Sequence, residues 1–209
     1  MSFTLEDFSS RRPHLYHLTD RRNIRRITAT GTLESAAQLL TRASDRDAIR
    51  IRRPLSRAVL VDGESVHIRD QAPLHAGAME LERGWELGDF VAHLNERVFF
   101  WPGTERGPIS YGVRHFERYA KDEPVILRVS TEALFVANPD RVPLFCKYNS
   151  GSPRCSYGKK SPRNANTFVG AGDASFNASG VVEVTFEHSV KLPEHVYGAN
   201  SPTGPWRRI

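Results

Sequence analysis

Two segments typical of β-strands, one near each end of the chain, each carry a polar residue in an apolar run. The first covers residues 14–18 and contains His17. The second follows Gly180 and contains Glu183, with valines on both sides. Either residue is ordinary alone, because half-buried histidines and solvent-facing glutamates are common in strands. Together, with matching flanks, they indicate that the two ends of the chain contribute to one polar site.

Between these ends, the hydrophobic pattern predicts helices and then strands. The first helix begins after Thr19 or Asp20 and ends at Gly31, and Asp62-Gly63 marks a tight hairpin turn. We predict further helices at 36–42, 73–81, 87–95 and 109–121, and strands at 58–61, 66–68, 97–101, 125–129 and 134–137. Helices lie mainly in the N-terminal half, which indicates the α+β class. The length suits one domain, 1–209.

The composition is that of a folded protein with reduced thiols. Hydrophobic residues make up 39% of the chain, and no apolar run approaches the ~20 residues that span a bilayer. The first residues do not form a signal peptide, and two cysteines, Cys146 and Cys155, are too few for a metal cluster. We therefore expect a cytoplasmic protein with no membrane partner and no metal.

The charge balance favours a phosphate-containing partner. The net charge is +5, and 24 of the 29 basic residues are arginine. Arginine binds phosphate through a planar fork and stacks on bases, so a nucleotide or a nucleic acid is the expected partner. Motifs of other enzyme classes, such as G-x-S-x-G, the phosphate-binding P-loop and G-x-G-x-x-G after a strand, do not occur in the sequence.

The span 148–179 is rich in Gly, Ser, Pro and Asn and leads directly to the strand that carries Glu183. Loops of this length rarely lack a use in a compact domain, so we expect this one to face an acceptor. Basic and aromatic side chains in and beside it suit phosphates and bases: Lys147, Arg154, Lys159, Lys160 and Arg163, with Tyr148, Tyr157 and Phe168.

The N-terminal motif has the pattern H-x-T-x-x-x-N, formed by His17, Thr19 and Asn23 ahead of a helix. It resembles the opening of the DarT family of NAD-dependent DNA ADP-ribosyltransferases. The segment that begins at Glu183 is similar to the strand on which that family carries its catalytic glutamate. The segments 47–54 and 99–102 resemble its NAD-binding arginine segment and its aromatic strand.

Other parts of the chain lie outside that resemblance. The segment between Pro54 and Val98 has no obvious counterpart in the DarT family. The chain is also similar to an uncharacterised bacterial family that shares the hexapeptide Leu15–Asp20 and the motif L-N-x-R-V-F-F-W at 94–101.

The DarT resemblance implies a split β-sheet core and a role for each matched residue. Glu183 would stabilise the ribose cation that forms when nicotinamide leaves NAD. His17 and Asn23 would bind ribose, Thr19 would hold the nicotinamide side, and Trp101 would form the floor of that pocket. Arg52 or Arg53 would bind the pyrophosphate, with three other arginines as alternatives: Arg50, Arg57 and Arg69.

The resemblance predicts mono-ADP-ribosylation of a nucleic acid by a toxin or phage-defence protein, with an antitoxin as a further partner. Other reactions with NAD remain open: its hydrolysis, modification of a protein, or transfer of an RNA 2′-phosphate to NAD. A hypothesis of another class is a basic nucleic-acid-binding module without catalysis, which would bind in a strongly salt-dependent way.

Overall fold

Strands from both ends of the chain pair in the same sheet of a mixed α/β structure. The computed structural model describes residues 2–209. Within that range the α-helices are α1 (Leu5–Arg11), α2 (Ile24–Thr30), α3 (Ala36–Arg42), α4 (Leu87–Asn95), α5 (Ser110–Arg118) and α6 (Thr131–Val136). The strands are β1 (His14–Asp20), β2 (Thr32–Glu34), β3 (Arg57–Val61), β4 (Glu64–Ile68), β5 (Met79–Leu81), β6 (Arg97–Thr104), β7 (Gly107–Pro108), β8 (Pro124–Ser130), β9 (Leu144–Cys146), β10 (Ser161–Arg163), β11 (Glu183–Glu187), β12 (Ser189–Lys191), β13 (Val196–Ala199) and β14 (Arg207–Arg208). Among these strands, all pairings are antiparallel except that of β5 with β10.

Strand β6 connects two parts of the main sheet. The strand order is β14-β13-β8-β1-β6-β11-β9, with β7 also paired to β6. β6 pairs with β1 at Trp101–Gly103 but with β11 at Arg97–Phe100. β1 leaves β6 after Tyr16 and stays paired with β8 as far as Asp20. The sheet therefore opens between β1 and the first half of β6, and we call this opening the fork.

Apolar side chains alternate between the two faces of the main sheet. One core contains Leu15, Phe100 and Val184 and is extended by the aromatic rings of α1 and β9. The other core packs α5 against β1 and β6 through Tyr16, Trp101, Phe116, Tyr119 and Ile126. Neighbours such as Leu15 and Tyr16 belong to different cores, as the two-residue period of a strand requires.

Replacing Gly112 on α5 with alanine is expected to loosen this second core. A Cβ atom there would lie 2.8 Å from the Cβ of Trp101 and 2.9 Å from that of Pro108. Overpacking costs about 1–3 kcal/mol, and the better helix propensity of alanine offsets up to ~1 kcal/mol. We expect a net loss of roughly 1–2 kcal/mol in the free energy of unfolding, measured in urea. Gly77→Ala is the control because nothing lies within 4 Å of a Cβ atom there, and equal stability of the two variants would contradict the close packing of α5.

The structure confirms the mixed class and most predicted elements, and it corrects two of them. Residues 73–81 do not form a helix: a short 3₁₀ turn leads into β5, which pairs with β10, and exposed Gly77 lies within the turn. Residues 134–137 do not form a strand, because the Ser130 hydroxyl accepts a hydrogen bond from the backbone N–H of Ala133 and starts α6. The first helix begins as a 3₁₀ turn at Arg21 and continues as α2 to Gly31.

Candidate functional site

A cavity of about 490 Å³ lies at the fork. Both parts of the sheet contribute to its wall: His17 and Thr19 from β1, Trp101 from β6, and Glu183 from β11. Further parts of the wall come from α5, from the β3–β4 hairpin, from the loop after β9 and from residues of α2, β2, α3 and α4. The fold therefore brings together most of the residues singled out in the sequence, from positions up to 166 residues apart.

Glu183 is the most deeply buried acidic residue of this cavity. It is the first residue of β11, it pairs with Cys146 of β9, and it is 2% exposed. Burial raises the pKa of its carboxyl group to about 7. Hydrogen bonding from Ser150, whose backbone N–H lies 3.1 Å from Oε2, and the charge of Arg163 oppose this rise. At neutral pH the carboxyl group is therefore poised between its two protonation states.

Arg163 positions the backbone that holds Glu183. The residue is 1% exposed, and its guanidinium group donates to the carbonyl oxygens of Asn149 and Ser150, each at 3.2 Å. It also donates to the Ser161 hydroxyl and lies 4.3 Å from the centre of the Tyr148 ring. The Asn149 carbonyl and the Ser150 N–H belong to the same planar peptide unit, so fixing that carbonyl keeps the N–H directed at the carboxylate of Glu183.

His17 lies in the wall of the fork with one ring nitrogen engaged. Its Nδ1 lies 2.9 Å from the carbonyl oxygen of Phe99, which can only accept a hydrogen bond. The ring therefore carries its proton on Nδ1, and Nε2 is an acceptor. Burial, followed by the charge of Arg69, lowers the pKa of His17 to about 4, so the ring is neutral at pH 7.

Thr19 and Asn23 also line the cavity, but the Asn23 amide is engaged with backbone. Its Oδ1 accepts from the N–H of His67 and its Nδ2 donates to the carbonyl of His67, both at 2.8 Å. Nδ2 also lies 3.3 Å from the Thr19 hydroxyl. Asn23 thus anchors the β3–β4 hairpin beside β1, and no hydrogen atom of its amide remains free for a ribose.

The two arginines predicted to bind pyrophosphate occupy different places. Arg52 does not line the cavity, and its guanidinium group donates to the carbonyls of Gln71 and Ala72. Arg53 lines the cavity, but it is 8% exposed and donates to the carbonyl of Arg69 and to Oδ1 of Asn95. Both side chains stabilise the connection from β4 to α4.

The alternative arginines also differ in their surroundings. Arg50 pairs with Asp89 at 2.7 Å and Arg57 pairs with Asp45, so both lie in surface ion pairs. Arg69 lines the cavity, donates to the carbonyl of Thr19 at 2.9 Å and lies 4.7 Å from the centre of the Tyr119 ring. Of the three, only Arg69 places its charge beside the fork.

The sequence interpretation missed the contribution of α5. Tyr111, Arg114, His115 and Arg118 all line the cavity, and their spacing places them on one face of the helix. The His115 ring centre lies 5.1 Å from that of Trp101. Burial, then the charges of Arg69 and Arg118, lower the pKa of His115 to about 3. The sequence did contain a signal for this contribution: polar residues lie between the predicted core positions of helix 109–121 and form a second face of the helix.

The loop after β9 only partly has the predicted basic surface. Lys147, Arg154, Lys159 and Lys160 are exposed, and Tyr157 is fully exposed. Arg163 and Phe168 were expected to face an acceptor, but both are buried: Arg163 binds loop carbonyls, and Phe168 packs against Phe99 at a ring distance of 5.8 Å. Strand β10 lies inside this segment, so 148–179 is not one continuous loop.

The cysteines and the helices relate to two expectations from the sequence, reduced thiols and no membrane partner. Both cysteines are free, Cys146 buried beside Glu183 and Cys155 exposed. Burial raises the pKa of the Cys146 thiol well above its usual range. In residues 2–209, each helix is too short or too polar to cross a bilayer.

Comparison with known proteins assigns the chain to a family. No curated protein and no solved structure matches it. The model of a family of unknown function, DUF7002, matches residues 13–196, a range that contains the fork, α5 and Glu183. The chain therefore belongs to the DUF7002 family.

Proposed function

We propose that the protein is an NAD-dependent mono-ADP-ribosyltransferase that modifies a nucleic acid. The observation that carries this proposal is the buried carboxylate of Glu183, which lines the same cavity as His17. A desolvated carboxyl group with a shifted pKa at a cavity is typical of functional sites. The motif resemblance of the N-terminal and C-terminal strands supports the same reaction.

The cavity suits a dinucleotide substrate in size and chemistry. Its volume of about 490 Å³ lies within the range of small-molecule sites. Trp101 and His115 provide aromatic surfaces for a base or for nicotinamide. Arg69 and the arginines of α5 provide positive charge for a pyrophosphate.

The residues at the fork match the charge that develops when NAD is cleaved. The bond between ribose C1′ and nicotinamide breaks, and the bonding electron pair stays on the nicotinamide nitrogen. The ionised carboxylate of Glu183 stabilises the positive charge on the ribose through the 2′-hydroxyl. Nε2 of His17 accepts a hydrogen bond from another ribose hydroxyl. The attacking atom of the acceptor forms the new bond to C1′ and releases its proton to solvent.

Exposed basic residues favour a nucleic acid as the acceptor. Lys147, Arg154, Lys159 and Lys160 lie on the segment that leads from Glu183's partner strand β9, and Tyr157 stands free beside them. Such a surface attracts phosphates and offers a ring for stacking on an unpaired base.

The proposal is tested by nicotinamide release from NAD, with and without single-stranded DNA, RNA or a protein extract. We expect label from the adenylate part of NAD on the nucleic acid. Because one electrostatic contact at a transition state is worth about 10²–10³-fold in rate, Glu183→Ala should slow release at least that much. Glu117→Ala is the control, since Glu117 is exposed and does not line the cavity.

Other outcomes would replace the proposal by a named alternative. Nicotinamide release without labelled nucleic acid would indicate an NAD glycohydrolase, and label on protein would indicate a protein ADP-ribosyltransferase. NAD-dependent removal of an RNA 2′-phosphate that is insensitive to Glu183→Gln would indicate a phosphotransferase. Salt-dependent binding of nucleic acid without any turnover would indicate a non-catalytic binding module.

A further inference from the structure

The arginines that line the cavity differ in whether their charge is already paired. Arg26 forms ion pairs with the acidic residues Glu34, Asp62 and Glu64, and Arg97 pairs with Glu187 at 2.9 Å. Arg53 and Arg163 are buried and bound to carbonyl or amide oxygens. These four guanidinium groups therefore stabilise the folded structure.

Arg114 and Arg118 of α5 differ from that group. Within the described residues, neither forms an ion pair or a side-chain hydrogen bond, and both are exposed at the mouth of the cavity. They are four residues apart, so their charges lie one turn apart on the same helix face. Two like charges at this spacing destabilise a helix slightly, and a bound anion would remove that repulsion.

The surroundings place these exposed charges beside the fork. Gly112 and Phe116 bury the other side of α5 against the sheet, which leaves Tyr111, Arg114 and Arg118 on the cavity side. His115 lies between Arg114 and Arg118 in the sequence. The centre of its ring is 5.1 Å from that of Trp101 and 5.2 Å from that of Tyr119. An anion bound by α5 would therefore lie next to the rings of Trp101, His115 and Tyr119.

We propose that Arg114 and Arg118 form a phosphate-binding subsite at the mouth of the cavity, which takes the pyrophosphate of the dinucleotide. This assignment rests on the proposed function and gives the pyrophosphate a different partner from Arg52 and Arg53. Each guanidinium group donates two parallel hydrogen bonds to phosphate oxygens, and two groups one turn apart match two linked phosphates.

The test measures binding of inorganic pyrophosphate and of ADP-ribose by calorimetry, without catalysis. The wild type is compared with Arg114→Gln/Arg118→Gln, whose two sites are exposed, and with the matched control Arg83→Gln/Arg106→Gln. Arg83 and Arg106 are also exposed but do not line the cavity. We expect the first double variant to bind both ligands at least tenfold more weakly than the wild type. The control variant should bind both with unchanged affinity. Arg118→Gln alone should give an intermediate loss.

The outcomes separate this subsite from the proposed function and from a nucleic-acid site. Loss of pyrophosphate binding in the first double variant, with no cleavage of NAD by wild type, would keep the subsite and reject the transferase. Equal pyrophosphate affinity in the wild type and that variant would overturn the subsite. Loss of binding to a single-stranded oligonucleotide with unchanged ADP-ribose affinity would also overturn it and assign the two arginines to the acceptor.

Discussion

Glu183→Gln is expected to raise the free energy of unfolding by about 3 kcal/mol at pH 8 and by almost nothing at pH 4. Burial raises the pKa of Glu183 from 4.5 to about 7, so folding favours the protonated form of this group. The contribution of the protonated Glu183 to the free energy of unfolding is complete below pH 4.5. It is lost as pH rises through 7, where the buried group ionises. Glutamine stays neutral, and its side-chain oxygen can still accept the N–H of Ser150. The variant should therefore avoid the cost of an ionised, buried carboxylate.

Urea denaturation at a series of pH values measures this effect. Glu117→Gln is the control because Glu117 is exposed and has no ion pair among the described residues. Glu183→Gln should also lose about 10²–10³-fold in NAD cleavage, which would make the site one where stability is sacrificed for activity. A gain in stability that is equal at pH 4 and pH 8 would contradict a desolvated carboxylate.

Arg163→Met is expected to destabilise the protein by about 3–5 kcal/mol, because it leaves several buried acceptors without a donor. The carbonyls of Asn149, Ser150 and Pro162 all accept from this guanidinium group. The positive charge near Glu183 also disappears, and that charge lowers the pKa of Glu183. The pH at which the stability contributed by Glu183 is lost should therefore move above 7.

Two measurements distinguish the positioning role of Arg163 from a merely structural one. Urea denaturation gives the loss of stability, and the pH profile of the difference between Arg163→Met and Arg163→Met/Glu183→Gln gives the pKa shift. Arg163→Lys keeps a positive charge but not the planar fork, so it should lose stability while shifting the pKa less. A pH profile that is the same with arginine, lysine and methionine at 163 would rule out electrostatic coupling to Glu183.

Local patterns predicted the strands better than the contacts of the site. Hydrophobic runs placed β1, β6, β8 and β11 correctly because each is an apolar segment with a clear boundary. His17 and Glu183 were found because a polar residue interrupts such a run. The segment 73–81 was misjudged since its helical spacing competes with a pairing to β10, more than eighty residues later, that no local pattern contains.

The roles of the arginines were the least predictable part. Arg52, Arg53 and Arg163 resemble free phosphate-binding residues in the sequence, but their guanidinium groups satisfy carbonyl oxygens of turns that are defined only in the folded chain. Arg114 and Arg118 form no ion pair among the described residues and line the cavity, and which face of α5 is turned toward the fork is likewise defined only in the folded chain.

The change of partner along β6 has a consequence for the growing chain. His17 is synthesised 166 residues before Glu183, and the wall that contains Glu183 exists only after β11 has paired with Arg97–Phe100. Contacts between such distant segments form late, because the entropy of closing a long loop is lost before the contacts can stabilise it. A nascent or prematurely terminated chain that ends before β11 therefore has His17 but not Glu183. Any chemistry that needs both residues is therefore withheld from the cell until β11 has been synthesised and paired.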